Sequence, residues 1–380
     1  MAPATHKTHR QSCMIGFLEL RRRKLQFALI GLIVTLIAYL VLMINGLGVG
    51  LNERAGSALK NFDADAIAYA AASDRSVIRS ELGEATVMAI QAIEGLEDSA
   101  PLGYVAANVG KPDGGVESAA FLGFDPGTIA EPDVVNGRRI EPGEDDALLA
   151  DKRFLDVAGF DVGDTVTVQL RLETREFRIV GAIDEGSFFF QPAVYITRSA
   201  WRELKYGSDK TDAPVASIVL LKGDNLPGLR GDGFEVIDKA TAFANIEGVA
   251  GQQATVTALR VFGYIIGALV IGVFFYVLTL QKVAQIGVLK ALGASSLYVF
   301  RQIVVQVLAI SISGVAISVP LAWATGRAIA QLPDPVPIAF TTSTFVTTSV
   351  TLVAVGLVGA LFSGRRVAAV DPIIALGQQQ

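Results

Sequence analysis

Four membrane-spanning helices, one before and three after a large extracytoplasmic α+β domain, are expected from three features of this 380-residue chain. Hydrophobic residues make up 51% of it and mean hydropathy is +0.47, too apolar for an ordinary soluble globule. The excess is concentrated in residues 25–44, 261–280, 303–325 and 345–362, with only Gln26 and Thr35 interrupting the first stretch. About 20 apolar residues rising 1.5 Å each cover a hydrocarbon core roughly 30 Å thick, so each stretch suffices for one crossing. Thirdly, Arg21, Arg22, Arg23 and Lys24 precede the first stretch, Lys282, Lys290 and Arg301 lie between the second and third, and Arg365 and Arg366 follow the fourth. Basic residues in short loops stay cytoplasmic, and all three clusters agree on one orientation, with both termini inside.

The resulting order is a cytoplasmic segment 1–24, helix 25–50, an outer domain 51–258 with stalk helices and helix 259–281. A cytoplasmic loop 282–299, helix 300–325, outer loop 326–340, helix 341–362 and tail 363–380 complete it. A signal peptide shares the basic start, but residues 25–44 are longer than a typical apolar region and residues 45–50 hold no Ala-x-Ala site, so an uncleaved anchor is expected.

In the outer segment, Val77, Ile78, Leu82, Val87, Ile90 and Ile93 have helical spacing, predicting a helix over 75–93. Residues 164–170 alternate with period two and predict a strand, followed by strands at 176–183, 193–196 and 217–221. Thr197 is a plausible N-cap for a helix over 197–204. Residues 112–115 and 223–233 read as loops. Phe188, Phe189 and Phe190 follow Gly186 and Ser187, and burial where two strands meet is preferred for them over exposure. Residues 240–259 carry helical composition without proline, weakened only by Gly248 and Gly251, and predict a stalk running into the second span. Residues 46–60 extend the first span in the same manner. Cys13 is the single cysteine, and His6 and His9 are the only histidines, all on the cytoplasmic side. A His- or Cys-based metal site or a Ser-His-Asp hydrolase is therefore excluded for the outer domain.

Residues 282–295 are too short and too polar to cross a bilayer. Val283, Ile286, Leu289 and Leu292 recur in steps of three, Lys282 and Lys290 take the opposite side, and Gly293 stands near the expected stop. Such an amphipathic helix can lie on the membrane or enter a groove of a partner protein, and periodicity alone leaves both open.

The stretch Val283-Ala-Gln-Ile-Gly-Val-Leu-Lys-Ala-Leu-Gly-Ala-Ser295 resembles the cytoplasmic motif of FtsX-like, MacB-type ABC transporter permeases, a family with haem-exporter-like and DevC-like subgroups. The tail Arg365-Arg-Val-Ala-Ala-Val-Asp-Pro-Ile-Ile-Ala-Leu376 resembles that family's closing segment, and the one-plus-three layout is similar throughout. The resemblance implies a coupling helix seated on a separate ATPase subunit, with Val283, Gln285, Ile286, Leu289, Lys290, Leu292 and Gly293 at the contact. Family members often carry an acidic residue where this chain has Gln285, so a salt bridge there becomes a neutral hydrogen bond. A working unit of two permease chains and two ATPases is implied, with a periplasmic adaptor or a cell-wall hydrolase as a further candidate partner.

No Gly-x-x-x-x-Gly-Lys-Ser/Thr motif is present, so ATP and magnesium belong to the partner and no cofactor is expected on this chain. The four apolar stretches hold no Asp, Glu, Lys or Arg, unlike an ion or proton pathway, and nucleic acid is not among the expected partners. Gly46-x-x-x-Gly50 and Gly263-x-x-x-Gly267 mark close helix packing, within the chain or against a second copy. Tyr39 and Met43, with Tyr264 and Tyr276, can face a hydrophobic ligand, although bundle packing and the aromatic belt explain them more economically. Gln306 is expected to hydrogen-bond within the bundle. Export of a hydrophobic or amphiphilic molecule such as haem, a lipid or an antibiotic leads. Activation of a cell-wall hydrolase without transport, and lipoprotein release, are the alternatives.

Overall fold

Hydrocarbon supplies no hydrogen-bond partner, so apolar stretches satisfy their backbone internally as helices. The computed structural model describes residues 24–170, 173–208, 212–281, 295–332 and 336–368. Its helices are α1 (Lys24–Asn61), α2 (Glu84–Gln91), α3 (Lys152–Ala158), α4 (Arg198–Tyr206), α5 (Lys239–Ala244), α6 (Val249–Gln281), α7 (Ser296–Ile329) and α8 (Thr342–Ala368). Four of them, α1, α6, α7 and α8, contain segments long and apolar enough to cross a membrane, namely Ala28–Asn61, Val249–Val277, Val304–Ile329 and Thr342–Gly359. The chain is a multi-pass membrane protein, and it divides into two units, Met1–Gly50 with Ala254–Gln380, and Leu51–Gln253.

Within the first unit the helices approach closely where side chains are small. A Cβ at Gly359 would stand 2.6 Å from the Ala268 carbonyl oxygen, and one at Gly272 would stand 3.2 Å from the Gly359 oxygen, so α6 and α8 meet backbone to backbone. Gly314 of α7 takes Val34 of α1, and Gly356 of α8 takes Ser311 of α7 in the same way. Around these contacts Ile30, Val34, Ile271, Phe275, Val307 and Ile310 form one buried cluster. Leu29, Leu32, Leu36 and Leu40 repeat along the exposed side of α1, as expected of a face that meets lipid. Gln306 is buried, as are Ser311, Ser318 and Thr348. Pro320 is accommodated inside α7, where the Ser318 hydroxyl donates to the Val315 carbonyl at 3.0 Å.

The second unit is built on strands β1 (Ala66–Ala70), β2 (Leu96–Gly110), β3 (Val116–Phe124), β4 (Val134–Gly137), β5 (Ala147–Asp151) and β6 (Thr165–Leu170). They are followed by β7 (Glu173–Ile183), β8 (Ser187–Phe188), β9 (Gln191–Thr197), β10 (Ile218–Gly223), β11 (Arg230–Gly231) and β12 (Phe234–Asp238). Pairing runs β2–β3–β9–β5–β7–β6 and returns from β6 to β2, which closes a ring. The other half of β2 continues through β10, β1 and β12 to β11. Alternate residues serve different cores. Phe121, Leu148, Ala150, Val194 and Ile196 point into the ring with Trp201 of α4, while Leu122, Leu149 and Tyr195 join Ala55, Ala58 and Leu59 of α1 on the opposite side. Gly103 and Gly123 are required here, because a Cβ on either would collide with the Trp201 indole.

The strands expected at 164–170, 176–183, 193–196 and 217–221 are β6, β7, β9 and β10. Thr197 caps α4 as expected, its hydroxyl accepting from the Ala200 N–H at 3.2 Å. Two expectations are corrected. The helix over 75–93 is limited to Glu84–Gln91, because Asp74 and Arg75 take left-handed φ values of 52° and 59°, and Leu82 pairs with Ala216 as a β-bridge. The stalk over 240–259 is not continuous, since α5 ends at Ala244, Gly248 has φ 86°, and α6 begins only at Val249. The loop over 223–233 also carries the short strand β11.

Replacing Gly359 by Val forces α6 and α8 apart or strains both. We expect thermal unfolding of the detergent-purified protein to show a loss of about 1–3 kcal/mol. Gly251→Val is the matched control, because nothing lies within 4 Å of a Cβ at Gly251.

Candidate functional site

The coupling residues read from the sequence, Val283, Gln285, Ile286, Leu289, Lys290, Leu292 and Gly293, lie outside the described residues. The other sequence-derived positions fall inside the membrane unit. Gly46 faces the Phe340 ring and Gly50 the Pro337 carbonyl, in both cases so closely that a Cβ would collide. The Ala339 N–H donates to the Gly46 carbonyl at 3.0 Å, which fixes the segment before α8 against α1. Gly263 packs on Val41 and Gly267 on Ile37, with an added Cβ at 3.0 and 3.3 Å respectively. Both glycine pairs therefore take neighbours from the same chain. The Tyr39 hydroxyl donates to Thr325 Oγ1 at 3.2 Å, and Met43 is half-buried. Two residues beyond Met43, Asn45 donates from its amide nitrogen to Thr348 Oγ1 at 2.7 Å, while its amide oxygen is buried with no partner among the described residues. A buried amide in a bundle of this kind holds helix register, and it leaves an acceptor available inside the unit.

The second unit contains a joint that sequence reading did not reveal. At Gly56 the α1 backbone leaves helical geometry, with φ −177° and ψ 46°. The break sits where α5 and the turn after it press in, since a Cβ at Gly56 would stand 2.5 Å from Ile246 Cδ1 and 3.4 Å from the Phe243 ring. Beyond it, Ala58 and Leu59 are fully buried. Helix ends leave carbonyls unsatisfied, and Lys239 Nζ supplies donors to the Lys60 and Phe62 oxygens at 2.9 and 2.6 Å. Lys60 in turn lies 3.9 Å from the Phe243 ring centroid, a cation–π contact that holds α5 against the last turn of α1.

The loop from Gly186 to Phe190 grips the same turn. The Ser187 N–H donates to Ser57 Oγ and the Phe189 N–H to the Ala55 carbonyl, each at 2.9 Å. Gly186, with φ 85°, meets Ser57 so closely that any side chain there would collide. Its N–H donates to Asp151 Oδ2 at 2.6 Å, and Asp151 also caps α3 by accepting from the Arg153 N–H at 2.9 Å. Burial raises the Asp151 carboxyl above its usual range, and these backbone donors oppose the rise.

Phe189 and Phe190 both adopt left-handed φ values, 52° and 65°. Non-glycine residues held there cost of order 1–3 kcal/mol each, so surrounding contacts must enforce the geometry. Phe188 is fully buried and lies 4.9 Å from Phe189, and both rings pack on Tyr104 with centroids at 5.5 and 4.8 Å. The Phe190 ring edge lies 3.8 Å from where a Cβ on Gly248 would stand, just before α6. One strained loop thus touches the end of α1 and the start of α6. The sequence signal for this joint was present as Gly186 preceding three phenylalanines, but nothing in it named Ser57 or Ala55 as the receiving surface.

Residues 258–372 match the family described as FtsX-like permease C-terminal. The whole chain is similar to a putative hemin transport system permease protein, HrtB, of Staphylococcus haemolyticus, 25% identical over 365 residues, covering 96% of this chain and 99% of that protein. A protein of the same description in Staphylococcus epidermidis (strain ATCC 12228) is 24% identical over 367 residues, covering 96% of this chain and 99% of that one. Among solved structures, the periplasmic region of MacB from Actinobacillus actinomycetemcomitans overlaps 49% of this chain and 94% of its own, at 13% identity and a TM-score of 0.34.

Ser57→Ala leaves the Ser187 N–H without its acceptor at a residue only 2% exposed. We expect a loss of about 1–3 kcal/mol in thermal unfolding and faster trypsin or chymotrypsin cleavage around 186–190. An unchanged cleavage pattern would mean that the hydrogen bond does not hold the loop.

Proposed function

We propose that this chain is an FtsX/MacB-type ABC transporter permease and that it exports a hydrophobic or amphiphilic small molecule, haem foremost. The observation that carries the proposal is similarity along nearly the full length to permeases described as hemin transporters, with the FtsX-like match lying on the three-helix half. The family implies a separate ATPase subunit, consistent with a sequence lacking a phosphate-binding glycine loop.

In the proposed mechanism ATP-driven closure of two ATPases pushes on residues 282–295 of two permease copies, at the cytoplasmic face of the inner membrane. Both termini are on that side. Val283, Ile286, Leu289 and Leu292 provide the apolar contact, and Gln285 and Lys290 its polar edge. Displacement passes along α1 and α6 to the outer domain. Rigid helices deliver it to Gly56 and Gly248, where the backbone is not helical, and the Gly186–Phe190 loop converts it into movement of the sheet. A substrate taken from the outer leaflet needs no ion-conducting path, which agrees with the lack of acidic or basic residues in the four apolar stretches.

Two measurements test this in the permease–ATPase complex reconstituted in nanodiscs. Hemin should raise the ATPase rate several-fold over a lipid-only baseline, and failure of any ATPase to copurify would remove the premise of the mechanism. Leu289→Asp or Gly293→Asp should leave membrane insertion intact and reduce hemin-dependent ATPase activity by about tenfold or more, because a charge enters the apolar contact face. Full activity in either variant at normal expression would count against a coupling role for residues 282–295.

A further inference from the structure

A cleft of about 370 Å³ in the outer unit opens beside the joint, and its walls come from three separate parts of the chain. Asn61 ends α1 and Phe62 and Asp63 follow it, residues 127–129 and 131–133 form a second wall, and Glu185 stands immediately before the gripping loop. Tyr195 of β9 forms the floor. Its residue is 0% exposed, and its hydroxyl has no hydrogen-bond partner among the described residues. Buried hydroxyls are nearly always paired, so an orphan lining a cleft points to a missing partner.

The charges define that partner. Four carboxylates, Asp63, Glu131, Asp133 and Glu185, face one guanidinium, Arg139. Arg139 lies 3.6 Å from Glu131, and Lys222 pairs with Asp63 at 2.6 Å from outside the lining. Neither Asp133 nor Glu185 makes a salt bridge among the described residues. Burial raises the Glu185 carboxyl, with the Asn61 amide and the Asp133 N–H opposing the rise, and the Tyr195 hydroxyl is pushed up by burial and then by the Glu185 and Asp151 charges. Among the described residues no three His, Cys, Asp or Glu side chains converge to hold a metal ion. The cleft is instead of small-molecule size.

We propose that this cleft binds a small organic cation bearing a primary ammonium group, held between the Glu185 carboxylate and the Tyr195 hydroxyl oxygen with Asp133 at the rim. An ammonium offers three donors, enough for both carboxylates and the orphan oxygen. The ligand would bridge the end of α1 and the residue preceding Gly186, so occupancy stabilises the joint itself. The site is independent of what the membrane helices export.

The test uses the full-length protein in nanodiscs at low salt, titrated calorimetrically with 1,4-diaminobutane. Saturable binding is expected at concentrations up to about 10 mM. Glu185→Gln should weaken it about tenfold and Tyr195→Phe a few-fold, because a charge-assisted contact is lost in the first and a neutral one in the second. Choline, which has no N–H donors, and calcium chloride should show no saturable binding. Should Glu185→Gln disturb folding, Asp133→Asn, at an exposed position, should still weaken binding about threefold. The proposal is overturned by absence of saturable diamine binding, by unaltered affinity in folded Glu185→Gln and Tyr195→Phe proteins, or by choline or calcium binding in place of the diamine.

Discussion

A bilayer core forbids unpaired backbone, and the rest of this structure follows from that constraint. The four spans can only be helices, and helices packed through glycine contacts such as Gly359 on Ala268 leave little room to bend. Pro320 is the one proline inside a described membrane helix. Departures from helical geometry are instead found in the second unit, at Gly56 within α1 and at Gly248 ahead of α6. There water and side chains can satisfy what the helix gives up, as Lys239 does for the carbonyls of Lys60 and Phe62.

The loop 186–190 explains how such a break can exist without disorder. Two phenylalanines in left-handed geometry are unfavourable alone, yet the Phe189 ring packs on Tyr104 and Phe188, its N–H and that of Ser187 donate to α1, and the Phe190 ring reaches Gly248. The strain and the contacts that hold it lie in the same few residues. The last turn of α1 is therefore tied by hydrogen bonds to β8 and the turn after it, and β8 pairs with β9 of the closed ring of strands. The acidic cleft adjoins this point, and the Asn61 amide donates there to the Glu185 carbonyl at 3.3 Å.

How much of this could be read from residues alone depended on solvent exposure. β6 alternates buried and exposed positions, and its period-two pattern was plain in Thr165-Val-Thr-Val-Gln-Leu170. β5 is buried on both faces as Ala147-Leu-Leu-Ala-Asp151, because Leu148 and Leu149 serve different cores, and such a strand has no period to detect. The apolar spacing over 75–93 suggested a helix, but Val77 and Leu82 reach the core from non-helical chain. The glycine pairs pack closely within the chain, and their neighbours, Phe340, Pro337, Val41 and Ile37, come from distant sequence. The cleft was illegible for the same reason, as Asn61, Asp133, Glu185 and Tyr195 share no motif and meet only through the fold. The segment proposed to meet the ATPase was the reverse case, written most clearly in sequence, with residues 282–294 outside the described residues.

In the proposed mechanism ATP turnover by the partner moves α1 and α6 as rods, and yielding is confined to the joint. Hydrogen–deuterium exchange on the reconstituted permease–ATPase complex, compared with and without ATP, tests it most directly. Exchange should change at residues 55–61, 186–190 and 245–249, while β3, β5 and β9 stay protected in both states. Equal exchange at the joint in the two states, or a change spread through the strands of the ring, would contradict it.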